Sequence, residues 1–219
     1  MKKITILLIT ILGIYLIYIF FSNNKINYVS ITDNIINNYN YIIKDYLTNK
    51  DKLDSFNNYF NSSTIKKTYQ DIKNNRTIQV DKNYYYLKKI LRESDVLVIS
   101  VGMEEVVNYF NKYDMKNNYD CFDTMYFDIE RLIKEIKKYA YGKIIFIGYY
   151  NPTNYYDANI DRFFYDIDIR LNKLMMDNDI IYINLYEMIK ENKFKENDGV
   201  HLNYLANKRI SYIVEYYLN

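Results

Sequence analysis

The chain has 219 residues, 49% of them hydrophobic, which suffices for one core of ordinary domain size and a short appendage but not for a second domain. Its net charge of +2 is spread over interspersed acids and bases, so no basic face for nucleic acid and no acidic tail is expected. A single cysteine, Cys121, excludes an internal disulfide and a dithiol redox centre, and with only one histidine a structural zinc site lacks ligands. No cofactor or metal site is expected on these grounds. The 28 tyrosines accompany abundant Asn, Ile and Lys, the signature of a biased composition and not of a stacking platform.

Ile4 to Phe21 carries no charge, follows Lys2 and Lys3, and gives way to Ser22-Asn23-Asn24-Lys25. About 18 apolar residues lie at the short end of what spans a bilayer. No small-x-small cleavage site follows, so residues 1–24 are expected to form an uncleaved signal-anchor and residues 25–219 the domain it tethers. The lysines should stay on the cytoplasmic side, leaving a single-pass cell-membrane protein with an extracytoplasmic domain. The alternative is cleavage near Ser22.

Beyond the anchor, apolar runs alternate with amphipathic stretches. Tyr28 to Thr32 reads as a strand, Asn38 to Leu47 as a helix, and Leu53 to Phe60 as an ambiguous segment compatible with a second strand. The patterns from Ser62 to Asn75 and from Asn83 to Glu93 are helical, with Ser62 and Ser63 as capping candidates ahead of Ile65. Asp95 to Val101 (DVLVISV) is a nearly continuous apolar run, as in a strand covered on both faces. Ile129, Leu132, Ile133, Ile136 and Ala140 recur at helical spacing, and Gly142 is read as the end of that helix. Lys143 to Gly148 is the next buried strand. A helix follows over Ile160 to Leu174, a strand over Asp179 to Ile183, and a closing helix over Tyr204 to Leu218. This alternation predicts parallel pairing with right-handed crossovers, hence a three-layer α/β/α sandwich.

Ligands of such sheets sit beyond the carboxyl ends of the strands. Three loops fall there: Thr32-Asp33-Asn34, Gly102-Met103-Glu104-Glu105, and the loop of Asp198-Gly199-Val200-His201. His201 is the only histidine, and Asp198 can accept a hydrogen bond from its Nδ1–H, which leaves Nε2 free to act as a base. The pair can equally do no more than hold the turn before the last helix.

The order of these three motifs resembles the SGNH (GDSL-type) hydrolases over Tyr28 to Leu218. Their first strand ends in Gly-Asp-Ser, a later one in Gly-x-Asn-Asp, and an Asp-x-x-His stands near the C-terminus. KIIFIG running into YYNP, and DGVHLN before the last helix, resemble a membrane-anchored Gram-positive branch of the family. The resemblance implies an SGNH-like, flavodoxin-like fold, an esterase or lipase activity on acyl esters, and an acyl-ester, lipid or glycan ligand. It places Thr32 in the glycine slot, keeps Asp33, and sets Asn34 where the serine nucleophile belongs. Gly102 is kept, while Glu104 stands where an asparagine donates to the oxyanion. The family's remaining glycine donor has no counterpart, because Phe60 to Tyr69 contains no glycine.

A carboxamide has no acidic proton for His201 to remove, so Asn34 cannot form an acyl-enzyme in the usual way. Glu104 in place of a donor forfeits roughly 3 to 4 kcal/mol of transition-state stabilisation. Its charge adds roughly 4 kcal/mol of repulsion at an effective dielectric near 20. The expectation is a catalytically impaired descendant kept as a binding or structural surface domain. The alternative is an active hydrolase in which Thr32 supplies a shifted hydroxyl to His201 and Asp198. A further enzyme reading gathers Asp33, Glu104 and Asp198 around a metal or a sugar.

Overall fold

The computed structural model describes residues 25–60, 64–80, 83–112, 118–153 and 158–218. The anchor expected over Ile4 to Phe21 lies outside these residues, as do Ser62 and Ser63. None of the described helices is long and apolar enough to cross a membrane.

Five parallel strands form the sheet, in the order β2-β1-β5-β6-β7. They are β1 (Ile26–Thr32), β2 (Leu53–Phe60), β5 (Val96–Ser100), β6 (Lys143–Ile147) and β7 (Ile181–Ile183). β5 is buried at every position, as its unbroken apolar run requires. The helices are α1 (Tyr39–Asn49), α2 (Ile65–Lys73), α3 (Leu87–Glu93), α4 (Met103–Lys112), α5 (Asn118–Ile136), α6 (Ala158–Met176), α7 (Leu185–Met188) and α8 (Tyr204–Leu218). α1 packs on α8, while α2 packs on α5 and α5 on α6. Right-handed crossovers in this strand order put the first pair on one face and the second group on the other. The result is the expected three-layer sandwich. The order reverses direction between β1 and β5, and that crevice is the topological switch point.

Four local expectations are corrected. Asn83 to Glu93 is not one helix: Asn83–Tyr86 is strand β4, paired antiparallel with β3 (Thr77–Val80), and only Leu87 onward is helical. Tyr84 and Tyr86 point outward while Tyr85 packs against the core, the period-two pattern that aromatic residues favour. Met103 to Glu105 is not loop but the first turn of α4. The side chain capping α2 is that of Thr64, which accepts from Lys67 N at 3.2 Å. Gly142 does not cap α5, which ends at Ile136. A Cβ at Gly142 would lie 2.3 Å from the Asp95 carbonyl oxygen, so the glycine allows the chain to run against the start of β5.

Helix exits use other residues. Asp51, Asn75 and Asp179 adopt φ of 53, 53 and 57° after α1, α2 and α6. Asn and Asp tolerate this left-handed conformation best among non-glycine residues, which suits a chain with only 5 glycines.

Candidate active site

The site is built where β1 and β5 end side by side. Asp33 N donates to Ser100 O at 3.0 Å and carries the β1–β5 ladder one step past the strands. The Asp33 side chain is then buried between the two loops. Its Oδ1 accepts from Ile35 N at 3.0 Å and Ile36 N at 3.2 Å, and its Oδ2 from Met103 N at 2.7 Å and Glu104 N at 3.3 Å. Asp33 thereby caps α4 from a strand 70 residues away in sequence. Burial pushes its carboxyl up to about 6, against the downward pull of the four amide bonds.

Asn34 and Glu104 face each other across the switch point. Asn34 is exposed, and its Nδ2 donates to Glu104 Oε1 at 2.6 Å. The expected nucleophile and oxyanion positions are thus brought together, but they hold an amide and a carboxylate bonded to each other. Gly102, between β5 and α4, has φ of +103°, and a Cβ there would lie 2.4 Å from the Tyr149 hydroxyl and 2.7 Å from Ile65 Cδ1. Only glycine fits that conformation and that space.

Thr32 is fully buried. Its hydroxyl donates to Asn37 Oδ1 at 3.0 Å and reaches Asn58 Oδ1 at 3.4 Å. The hydroxyl is thus held in an asparagine network, which at no point supports the shifted-nucleophile reading. Among the described residues no hydrogen bond joins His201 to Thr32, Asn34 or Glu104.

The C-terminal loop holds a formed Asp–His pair. Asp198 Oδ1 accepts from Val200 N at 2.8 Å and His201 N at 2.9 Å, and His201 Nδ1 lies 2.5 Å from Asp198 Oδ2. The hydrogen bond from His201, helped by these amides, lowers the Asp198 carboxyl to about 2. Both side chains are about half exposed, at 51% and 50%.

Tyr150 ties this loop to the rest of the site. Its hydroxyl, just beyond β6, donates to Val200 O, and it is pushed upward by burial and then by the charges of Asp33 and Asp198. One phenol therefore feels the carboxylates of both halves. Tyr149 beside it donates to Val101 O at 2.7 Å. Glu105 completes the wall: its Oε2 accepts from Ile65 N at the start of α2 at 3.0 Å. Burial, then Asp128, Asp33 and Glu104, push its carboxyl up to about 7. The sequence alone assigns no role to Glu105, Tyr149 or Tyr150. Their only signals are a second glutamate beside Glu104 and the YY of YYNP.

The carboxylates do not form a metal centre. Both oxygens of Asp33 are taken by backbone amides, and those of Asp198 by His201 and its own turn. Among the described residues no group of three His, Cys, Asp or Glu side chains is placed to hold a metal ion. The reading that gathered Asp33, Glu104 and Asp198 around one ion is corrected accordingly.

The chain is a five-stranded parallel α/β sandwich with an Asp–His pair beyond the strand ends. No protein-family model and no curated protein matches the chain. Solved structures do match. The lipase Lip_vut3 from a goat rumen metagenome superimposes with a TM-score of 0.71 at 11% identity, covering 86% of this chain and 95% of that one. The acetyl xylan esterase AlAXEase gives 0.61 at 17% identity, covering 88% and 99%. An acetylxylan esterase of Geobacillus stearothermophilus, Axe2, gives 0.62 at 11% identity, covering 84% and 90%. The fold is that of lipases and acetylxylan esterases.

Proposed function

We propose that this chain is a membrane-tethered, extracytoplasmic SGNH-type hydrolase domain that has lost ester hydrolysis and retains its cleft for binding. The observation that carries the reading is the 2.6 Å hydrogen bond from Asn34 to Glu104, which fills with two non-catalytic groups the space where an alkoxide would form and an oxyanion be held. Two of the matched Axe2 structures are catalytic mutants, one replacing a histidine and one a serine by alanine. This chain keeps a histidine of suitable surroundings and has no serine to set against it at the end of β1. In a serine protease, loss of the nucleophile alone costs on the order of 10⁶ in kcat.

The tether is supported by the uncharged run from Ile4 to Phe21 behind Lys2 and Lys3, and the position of those lysines supports a domain outside the cytoplasm. The loops beyond the strand ends offer a carboxamide, a carboxylate and a half-exposed imidazole, groups suited to the hydroxyls and acyl oxygens of an acyl ester, lipid headgroup or glycan. The test is hydrolysis of p-nitrophenyl acetate by the purified protein against His201→Ala. Equal background rates are expected, and a rate that depends on His201 would overturn the loss of activity.

A further inference from the structure

The two ends of the sheet differ in what they present. All five strands are parallel, so the cleft lies at one edge and the chain enters β1 from Lys25 at the opposite edge. Hydrogen bonds trace that opposite edge across the domain. Ile26 N donates to Lys52 O, Asp95 N to Asn27 O, and Lys143 N to Asp95 O; the Lys143 ammonium then reaches Tyr217 O at the end of α8. The Lys137 ammonium bonds Asn178 O, which brings in the turn after α6.

Three large side chains stand exposed along this edge: Tyr141 at 77%, Met176 at 68% and Tyr216 at 76%. Two of the lysines there are paired with acids, with Lys25 at 2.8 Å from Asp51 and Lys137 at 3.9 Å from Asp179, and Lys143 bonds a backbone carbonyl. The edge therefore presents exposed tyrosines beside lysines, side chains that settle at the headgroup level of a bilayer.

The length of chain before β1 points the same way. Ser22, Asn23 and Asn24 bridge at most about 14 Å between Phe21 and Lys25 even when fully extended. A domain of this size has a radius of gyration of about 16 Å. β1 is an interior strand, flanked by β2 and β5, so the tether leaves from within the edge and not from its rim. A tether shorter than the domain's own radius leaves it no room to lie on its side.

We infer that the domain stands on its membrane through the edge bearing Tyr141, Met176 and Tyr216, and holds the loops of Asn34, Glu104 and His201 on the far side. The seven residues of β1 alone lift the cleft by about 23 Å. The ligand consequently arrives from the aqueous side, as a glycan or a water-borne ester, and not as a lipid of the supporting bilayer. This rests on the tether proposed above.

The test uses the full chain with Cys121→Ser, carrying one fluorophore at Tyr141→Cys or at Asn197→Cys, in phosphatidylcholine vesicles with and without a lipid bearing a headgroup quencher. Co-flotation with the vesicles reports the tether and quenching reports the orientation. The inference expects co-flotation, loss of most of the fluorescence at position 141, and none at position 197. Flotation with equal quenching at both positions, or with quenching at 197 only, would overturn the orientation and leave the tether standing. Failure of the full chain to float would overturn both.

Discussion

Asn34 donates to Glu104 at 2.6 Å across the gap between the first and central strands of the sheet. On the reading proposed above, a carboxylate is tolerated at the place of an oxyanion donor because an amide sits opposite it, and the two departures form a coupled pair. An Asn34→Ser change made alone would leave the Glu104 charge against any tetrahedral intermediate. Asn34→Ser together with Glu104→Asn is expected to hydrolyse p-nitrophenyl acetate at least ~100-fold faster than Asn34→Ser alone, since one oxyanion donor is worth that much. Steady-state kinetics of the two variants measure the ratio. Equal rates would mean that the cleft walls, and not only this pair, have departed from a hydrolytic shape.

Asp33 belongs to the scaffold of the cleft more than to its chemistry. Asp33→Asn would turn an amide toward two of the four backbone N–H groups that now meet carboxylate oxygens. A loss of about 2 to 4 kcal/mol is expected in urea unfolding, from buried donors left without an acceptor. An unchanged midpoint would remove Asp33 from the joint between β1 and α4.

The same carboxyl sets a pH dependence. Asp33 is raised from 3.8 to about 6 and Glu105 from 4.5 to about 7, so between these limits the folded state binds more protons than the unfolded one. Their contribution is fully present below pH 4 and is lost as pH rises through 6 and 7. For Asp33 the loss is on the order of 3 kcal/mol. The melting temperature is expected to be higher at pH 5 than at pH 7.5, and Glu105→Gln should flatten the part of the fall near pH 7. Calorimetry at fixed ionic strength checks both.

Asp198 moves in the opposite direction. Its carboxyl is held at about 2 by His201, below the ordinary 3.8. A depressed carboxylate contributes stability above the ordinary value that is lost as pH falls toward 2, although at half exposure the effect on folding is small. Carbon-detected NMR of the Asp198 carboxyl should give a midpoint near 2 that returns toward 3.8 in His201→Ala. A midpoint unmoved by that substitution would mean that the pair is not formed in solution.

Much of this architecture is legible in the amino-acid sequence. The apolar runs of β5 and β6 and the helical spacing of α5 and α6 each carry their own periodicity, so the alternating order and the parallel sheet follow from local sequence. What escapes depends on distant partners. The first turn of α4 looks like loop because the side chain that caps it, Asp33, lies just past the end of β1. Gly142 looks like a helix terminator because its real neighbour, the Asp95 carbonyl, is far away in sequence. The tyrosines of β4 merge with the helix that follows, since a four-residue strand is too short to impose its own period. At the site, the identities of Asn34, Glu104, Asp198 and His201 can be read directly. That Asn34 bonds Glu104, that Thr32 turns into an asparagine network, and that Tyr150 links both halves cannot, because each is a matter of side-chain direction at a junction of three or four elements.

The claim that no activated hydroxyl faces His201 is tested most directly with a fluorophosphonate probe, which labels such a hydroxyl whatever the natural ligand is. The protein is expected to stay unlabelled at every pH from 6 to 9, while Asn34→Ser with Glu104→Asn takes up the probe in a His201-dependent manner. Stoichiometric, His201-dependent labelling of the unaltered chain would contradict the account.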